Sequence, residues 1–215
     1  MKMLSFVSRL CRKFRSEQSG SMSVEAVFAF PMLLWAATAT FTFFDAYKAQ
    51  NATYRANYTI SDMLSRETNA VNANYMNGLF KVFRFMTLAD ANDSWIRVSE
   101  LQCVSNCTNE EERVLNFEWS HGVNGARNLT NADFDFYASK IPLLAQGDRL
   151  VLVETSMNYQ PPFAKSLVSF PERDLVSHVV TRPRFAPQII WDPNYDPSDG
   201  GTHADGSEDD SGVDS

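Results

Sequence analysis

Glu25 stands immediately before a run of 19 uncharged residues, Ala26 to Phe44 (AVFAFPMLLWAATATFTFF). A carboxylate at the head of an apolar helix is favoured by the helix macrodipole. An isolated charge beside hydrocarbon costs several kilocalories, so it also seeks a cationic partner. Cys103 and Cys107 are the second chemically capable pair. They lie four apart in the polar stretch CVSNC, the spacing of a small disulfide-closed loop in an oxidising compartment. Zinc is not expected, because no second pair of ligands with suitable spacing accompanies them. Cys11 lies in the basic leader and is expected to be reduced or removed with it.

The usual signatures of catalysis are missing from the sequence. It has no G-x-S-x-G, no H-E-x-x-H and no phosphate loop. Of the three histidines, His203 lies in the C-terminal tail, His121 at a turn and His178 in a strand pattern. Asp133 and Asp135 read as caps and flanks of a short helix. The chain is therefore expected not to be an enzyme and to need no cofactor or metal. The Asp-rich tail lacks the order of a calcium loop.

Composition is that of a folded protein, with 44% hydrophobic and 21% charged residues. The net charge of −7 argues against a nucleic-acid partner. The charge is segregated. Residues 1–20 carry Lys2, Arg9, Arg12, Lys13 and Arg15 against Glu17 alone, and residues 192–215 carry acids but no Lys or Arg. At about 1.5 Å per residue the run 26–44 spans roughly 28 Å as a helix, close to the ~30 Å of a hydrocarbon core. Its only polar side chains are Thr38, Thr40 and Thr42, whose hydroxyls can bond back to the backbone. The basic leader places the N-terminus in the cytoplasm and residues after 44 outside. A cleaved secretory signal fits less well, since the run is long and no small-x-small site follows.

The stretch Gly20-Ser21-Met22-Ser23-Val24-Glu25, between a basic leader and an uncharged helix, resembles type IV prepilin-like precursors. The longer segment GSMSVEAVFAFPMLLW, with Pro31 about six residues into the apolar run, resembles the N-terminus of TadE-like pseudopilins of the tight-adherence (Flp-type) pilus system. ISDMLSRET (60–68), GDRLVLVET and TRPRFAPQI are similar to alphaproteobacterial members. The resemblance implies cutting between Gly20 and Ser21 by a prepilin peptidase on the cytoplasmic side. Glu25 then becomes the fifth residue of the mature chain, where it pairs with the new terminal ammonium of a neighbouring subunit and sets axial register. The implied partners are the peptidase, other pilins or pseudopilins, the inner-membrane assembly platform and membrane lipid. The implied location is the bacterial inner membrane, single pass, with a periplasmic head that enters the pilus or primes it. Two departures stand out. Ser21 follows the cut where type IV pilins have Phe, and Ala26 follows Glu25 where Flp-type major pilins have Tyr, which together with the length points to a minor subunit. The rival reading is an unprocessed, signal-anchored periplasmic binding or scaffold protein.

The elements follow from periodicity. Residues 45–67 contain no Gly or Pro. Tyr47, Tyr54 and Tyr58 recur at i, i+7, i+11, and Ile60, Met63 and Leu64 at i, i+3, i+4, so the membrane helix is expected to continue as a spine packing this face on the head. A second helix is expected over 75–89, with Met76, Leu79, Phe80, Phe83 and Met86 on one face and Lys81 and Arg84 opposite. Alternation marks strands at 95–101, 114–119, 149–158 and 175–181, with a short helix at 132–139. The expected fold is α+β, a long N-terminal transmembrane helix serving as the spine of a head with a small, mainly antiparallel sheet. The expected organisation is a leader over 1–20, a transmembrane helix over 21–44, a periplasmic head over 45–190 and an acidic disordered tail over 191–215.

Overall fold

The computed structural model describes residues 21–109, 112–163 and 171–196. The leader 1–20 and the stretch 197–215 lie outside the described residues, and with them the expectations made for both. The described chain forms two compact units, divided at Lys48/Ala49, Tyr159/Gln160 and Glu172/Arg173. The first helix, α1 (Ser21–Ser65), is a single element with Pro31 inside it.

In the first unit, the apolar run of α1 keeps its side chains in the open. Val27, Phe28, Phe30, Met32, Leu33, Trp35, Phe43 and Phe44 are all more than half exposed. The threonine hydroxyls are satisfied within the helix. Thr38 donates to the carbonyls of Leu34 (3.0 Å) and Trp35 (2.9 Å), Thr40 to Ala36 (2.8 Å) and Thr42 to Thr38 (2.8 Å). A core helix of a soluble protein hides one stripe. Here residues 23–37 are exposed on every side, and further on Thr42 is buried, Thr38 and Ala39 are half-buried and Phe41 meets Phe163 edge-on at 5.5 Å. By length and composition it suffices to cross a membrane.

The second unit is an α+β head. Helix α2 spans Ala73–Thr87, and the strands are β1 (Ser94–Ser105), β2 (Val114–Val123), β3 (Arg149–Tyr159) and β4 (Arg173–Thr181). They form one antiparallel sheet in the order β2-β1-β3-β4. Each strand expectation matches one of these, though β1 and β2 run four residues further than their alternation signalled. α2 starts at Asn72, whose side chain accepts from Tyr75 N at 2.8 Å. It ends on Leu88 at φ 57°, a left-handed position where Gly or Asn is usual. The crowding of Cβ there costs about 1–2 kcal/mol.

One face of the sheet, carrying Ile96, Val98, Val151, Val153 and Met157, shares a core with Ala56, Ile60 and Leu64 of α1 and Met76, Leu79, Phe80 and Phe83 of α2. Full burial of Ile60, Leu64 or Phe83 contributes roughly 1.5–3 kcal/mol each. The face of α1 that packs is not the tyrosine stripe expected from the sequence. Tyr54, Tyr58 and Met63 are exposed, and the buried positions are Thr53, Ala56, Asn57, Ile60, Ser61, Leu64 and Ser65. These positions are mostly small or polar; Asn57 and Thr53 donate to partners on the sheet and helix, whereas Ser61 Oγ and Asn57 Oδ1 have no hydrogen-bond partner among the described residues. Asn57 donates to Ser177 Oγ (3.0 Å) and to the Val153 carbonyl (3.4 Å), and Thr53 donates back to Ala49 O (3.0 Å).

The opposite face is covered by the return between β2 and β3. Its short helical stretch comprises a 3₁₀ turn (Asn131–Asp133), α3 (Phe134–Tyr137) and a second 3₁₀ turn (Ala138–Lys140). Leu129, Tyr137, Ile141 and Leu144 bury against Leu101, Cys103, Leu115, Leu150 and Leu152. Coverage on both sides explains why nearly every residue of β3 is buried. The return also closes the outer edge of β2. The side-chain carbonyls of Asn131 and Asn128 accept from Phe117 N and Gly122 N, both at 2.8 Å.

Residues after β4 fold back onto the head. Arg184 N donates to Ser65 O (2.7 Å), Val71 N to Ile190 O (2.8 Å) and Asp192 N to Val71 O (3.0 Å), which forms a parallel bridge between Val71 and Trp191. Asn72, besides capping α2, donates to Tyr195 O at 2.7 Å. Residues 191–196, expected to open a disordered tail, are thus pinned by an aromatic residue and by backbone pairing.

Candidate functional site

The residues that the sequence singled out for processing lie at the start of α1. Gly20 falls outside the described residues. Ser21 is the first residue of α1, and Glu25, exposed, follows one helical turn later. Residues four apart share a helix face about 6 Å apart along the axis. The α-nitrogen of Ser21 and the Glu25 carboxylate therefore belong to one edge of the helix, directly below the exposed aromatic run.

The cysteines are joined, Cys103–Cys107, with Cα atoms 5.9 Å apart. Their setting differs from the polar loop read from the sequence. β1 runs through Cys103, and the two residues are 0% and 5% exposed, so the bridge is packed in the core beneath the return. Asn106, inside the closed loop, takes the left-handed conformation at φ 53°, which asparagine tolerates.

Two buried charged clusters escaped the sequence reading. Arg97 and Glu154 are cross-strand partners in the register of β1 and β3. Arg97 Nε donates to Glu154 Oε2 at 2.7 Å, its Nη2 to Tyr137 Oη at 2.7 Å and its Nη1 to the Arg127 carbonyl at 2.8 Å. Tyr137 in turn donates to Glu154 Oε1 at 2.8 Å. Burial first, then the bond to Glu154, pushes the Tyr137 phenol up to about 12. Every donor is aimed inward, so the cluster fastens the return to the sheet. The signal in the sequence was a lone basic and a lone acidic residue inside two strands. Alternation alone assigns these to solvent, and only register brings them together.

The second cluster centres on Glu100, 1% exposed. Its carboxylate accepts from Ile189 N (2.9 Å) and Trp119 Nε1 (3.1 Å), and Trp119 Nε1 also donates to Ile189 O at 2.8 Å. Burial raises the Glu100 carboxyl above the ordinary carboxylate range, opposed by the Ile189 N–H and by Arg149 at 3.7 Å. Trp191 closes the cluster, 5.5 Å from Trp119 and stacked on His121 at 4.4 Å. Burial lowers the His121 imidazole.

Arg113 is buried at the start of β2 and donates to the carbonyls of Ala138, Ile141 (2.7 Å) and Pro142 (2.8 Å), holding the end of the short helical stretch. Asp133, expected as a helix cap, makes no side-chain cap bond to α3 and instead closes a capping box with Thr130 on the preceding 3₁₀ turn. It accepts from Thr130 N at 2.9 Å and pairs with Arg127, whose guanidinium holds its carboxyl well below the usual range.

An open cleft of about 690 Å³ lies where the end of α1, the start of α2 and the C-terminal strap meet. Glu67, Asn72, Asn74, Tyr75 and Asp196 line it, and no Lys or Arg is among the described residues of its wall. Burial, then the neighbouring Glu67, raises the Tyr75 phenol. Among the described residues no group of three His, Cys, Asp or Glu stands close enough to hold a metal ion. No family model, no curated protein and no solved structure matches the chain.

Proposed function

We propose that the chain is a minor pilin-like subunit, a TadE-like pseudopilin, of a tight-adherence pilus system. In this reading it is made as a precursor, cut between Gly20 and Ser21 by a prepilin peptidase, and held in the bacterial inner membrane by α1 with its head in the periplasm. The observation that carries the reading is the order of parts along one helix. A Gly-Ser bond precedes α1, Glu25 sits one turn in, and a run of apolar side chains stays unburied beyond it. A buried disulfide in the head supports an oxidising compartment.

The chemistry proposed for these residues is electrostatic. Cutting leaves an ammonium at Ser21. In lipid or in a bundle of such helices that ammonium is costly unless paired, and Glu25 of an adjacent subunit is the available anion. The pair forms at one axial offset only, so it fixes register while Phe28, Phe30 and Trp35 exchange lipid for protein. The head, locked by its clusters and disulfide, moves as a rigid load on the rod. Such a subunit acts in filament assembly, as a primer or a cap.

The test is N-terminal sequencing and intact mass of the membrane-bound protein, in the native chain and in Gly20→Leu. A native chain beginning at Ser21 and a variant retaining its leader support the proposal. A native chain beginning at Met1 overturns it and leaves an unprocessed signal-anchored scaffold. Glu25→Gln then tests assembly separately, and surface fibres and multimers at native levels would remove the role given to the carboxylate.

A further inference from the structure

Phe85 and Leu88 are 82% and 88% exposed, more than any other large apolar side chain among the described residues. They lie three apart at the end of α2, on one face. Leu88 is held in the left-handed region and gains no burial for it. Strain kept at an exposed residue points to a task there.

The position of this knuckle within the head is defined by register. Ser94 at the start of β1 faces Met157, which faces Leu175 near the start of β4. The turn after Leu88 joins the same end, since Asn158 N donates to Asp93 O and Ser94 Oγ to Asp90 O. Gln50, Thr53 and Tyr54 of α1 border Arg173–Val176 at this end, while Ser65 meets Arg184 at the other, just past Thr181. Phe85 and Leu88 thus project from the end of the head at which α1 enters. The uncharged run stops at Phe44, five residues before Ala49. Five residues reach at most about 17 Å in any conformation. If the run lies in lipid, this end of the head is tethered at the lipid surface. Tyr54, on α1 at the same end, is a residue type enriched at that interface.

We infer that Phe85 and Leu88 insert into the outer surface of the bilayer and seat the head on the membrane from which α1 emerges. The inference rests on the membrane reading above. Lys81 and Arg84 lie one turn back from Phe85 and Leu88 respectively. Arg84 is held beside the pair, its Nε donating to the Ala89 carbonyl at 3.4 Å and its guanidinium 5.9 Å from the Phe80 ring, and long basic side chains of this kind keep their charged ends at headgroup level. Asp90 and Asp93 follow in the turn, so the segment 81–93 carries no net charge. Seating then depends on apolar burial and does not require anionic lipid. For a subunit drawn from lipid into a filament, leaving this seat accompanies extraction of the helix.

The experiment uses the full chain with Cys11→Ser, its native disulfide closed, in phosphatidylcholine vesicles. A polarity-sensitive fluorophore is attached at Phe85→Cys, at Leu88→Cys or at Thr68→Cys, an exposed site at the far end of the head. The labels at 85 and 88 are expected to emit at shorter wavelength in vesicles than in detergent. Lipids carrying a nitroxide near the headgroup should quench them at least twofold, and aqueous iodide should not. The label at 68 should behave oppositely. Iodide quenching of 85 and 88 equal to that of 68, without lipid quenching, overturns the inference even when the protein floats with vesicles. Shielding that grows with protein concentration in detergent assigns the patch to self-association and overturns it as well. Failure to float removes the membrane reading and this inference together.

Discussion

Tyr137→Phe removes one oxygen from the cluster that fastens the return to the sheet. That hydroxyl gives a bond to Glu154 at 2.8 Å and takes one from Arg97 at 2.7 Å, with both charged partners buried. Bonds to charged groups contribute about 1.5–3 kcal/mol each, and a buried group left unsatisfied costs about 1–3 kcal/mol. Arg97 keeps Glu154 Oε2 and the Arg127 carbonyl, so it remains paired, whereas Glu154 Oε1 loses a donor. The expected loss is about 2 kcal/mol. Glu154→Leu leaves the Arg97 guanidinium buried without its anion and should cost about 3–5 kcal/mol. The three groups act as one unit, so the double variant should lose less than the sum of the singles by at least ~1 kcal/mol. The assay is equilibrium unfolding of the full chain in detergent, read from tryptophan fluorescence with Trp119 and Trp191 as head reporters. A Tyr137→Phe loss under ~0.5 kcal/mol, or strict additivity with Glu154→Leu, would refute the account of the cluster.

Replacing both Cys103 and Cys107 with Ala opens a five-residue loop, which by the chain-entropy relation should lower stability by about 2 kcal/mol. Thiol labelling of the native chain, unfolded without reductant, should find neither Cys103 nor Cys107 free. Gly122→Ala places a methyl group on the carbonyl of Ala126, which forces the return away from β2. The expected cost is about 1–3 kcal/mol by denaturation midpoint, and an unchanged midpoint would mean that the return yields freely. His121 is held neutral by burial against Trp191. Its folded pKa lies below the unfolded value of about 6.5, so its contribution is intact above that pH and is lost as pH falls through the folded value. His121→Phe should flatten stability against pH just below 6.5, and an unaltered slope would count against the assignment.

The period-two alternation in WIRVSEL and RLVLVETSMN was enough to place β1 and β3, because a strand buried on the sheet shows its pattern locally. The spacing of Met76, Leu79, Phe80 and Phe83 likewise marked the buried face of α2, which matches its core residues. On α1 the local pattern marked Ile60 and Leu64, which are buried, but misplaced the tyrosines and Met63. Tyr54 and Tyr58 looked like the packed stripe, but aromatic hydroxyl-bearing residues tolerate exposure. The sheet instead took the side of Thr53, Ala56, Asn57 and Ser61, where small side chains and an amide meet β3 and β4.

What residue order alone determined is therefore local in origin: the uncharged run behind Glu25, the strand and helix periods, and two cysteines close enough along the chain to meet. The tertiary structure decided what depends on long-range pairing. It joined Arg97 to Glu154 through register, drew Glu100 under the backbone of Ile189, and carried Trp191 back to Val71. It also left Phe85 and Leu88 bare at the end where α1 enters the head. Those partners lie tens of residues apart, and a buried charge reads like a solvated one until the element that covers it is in place.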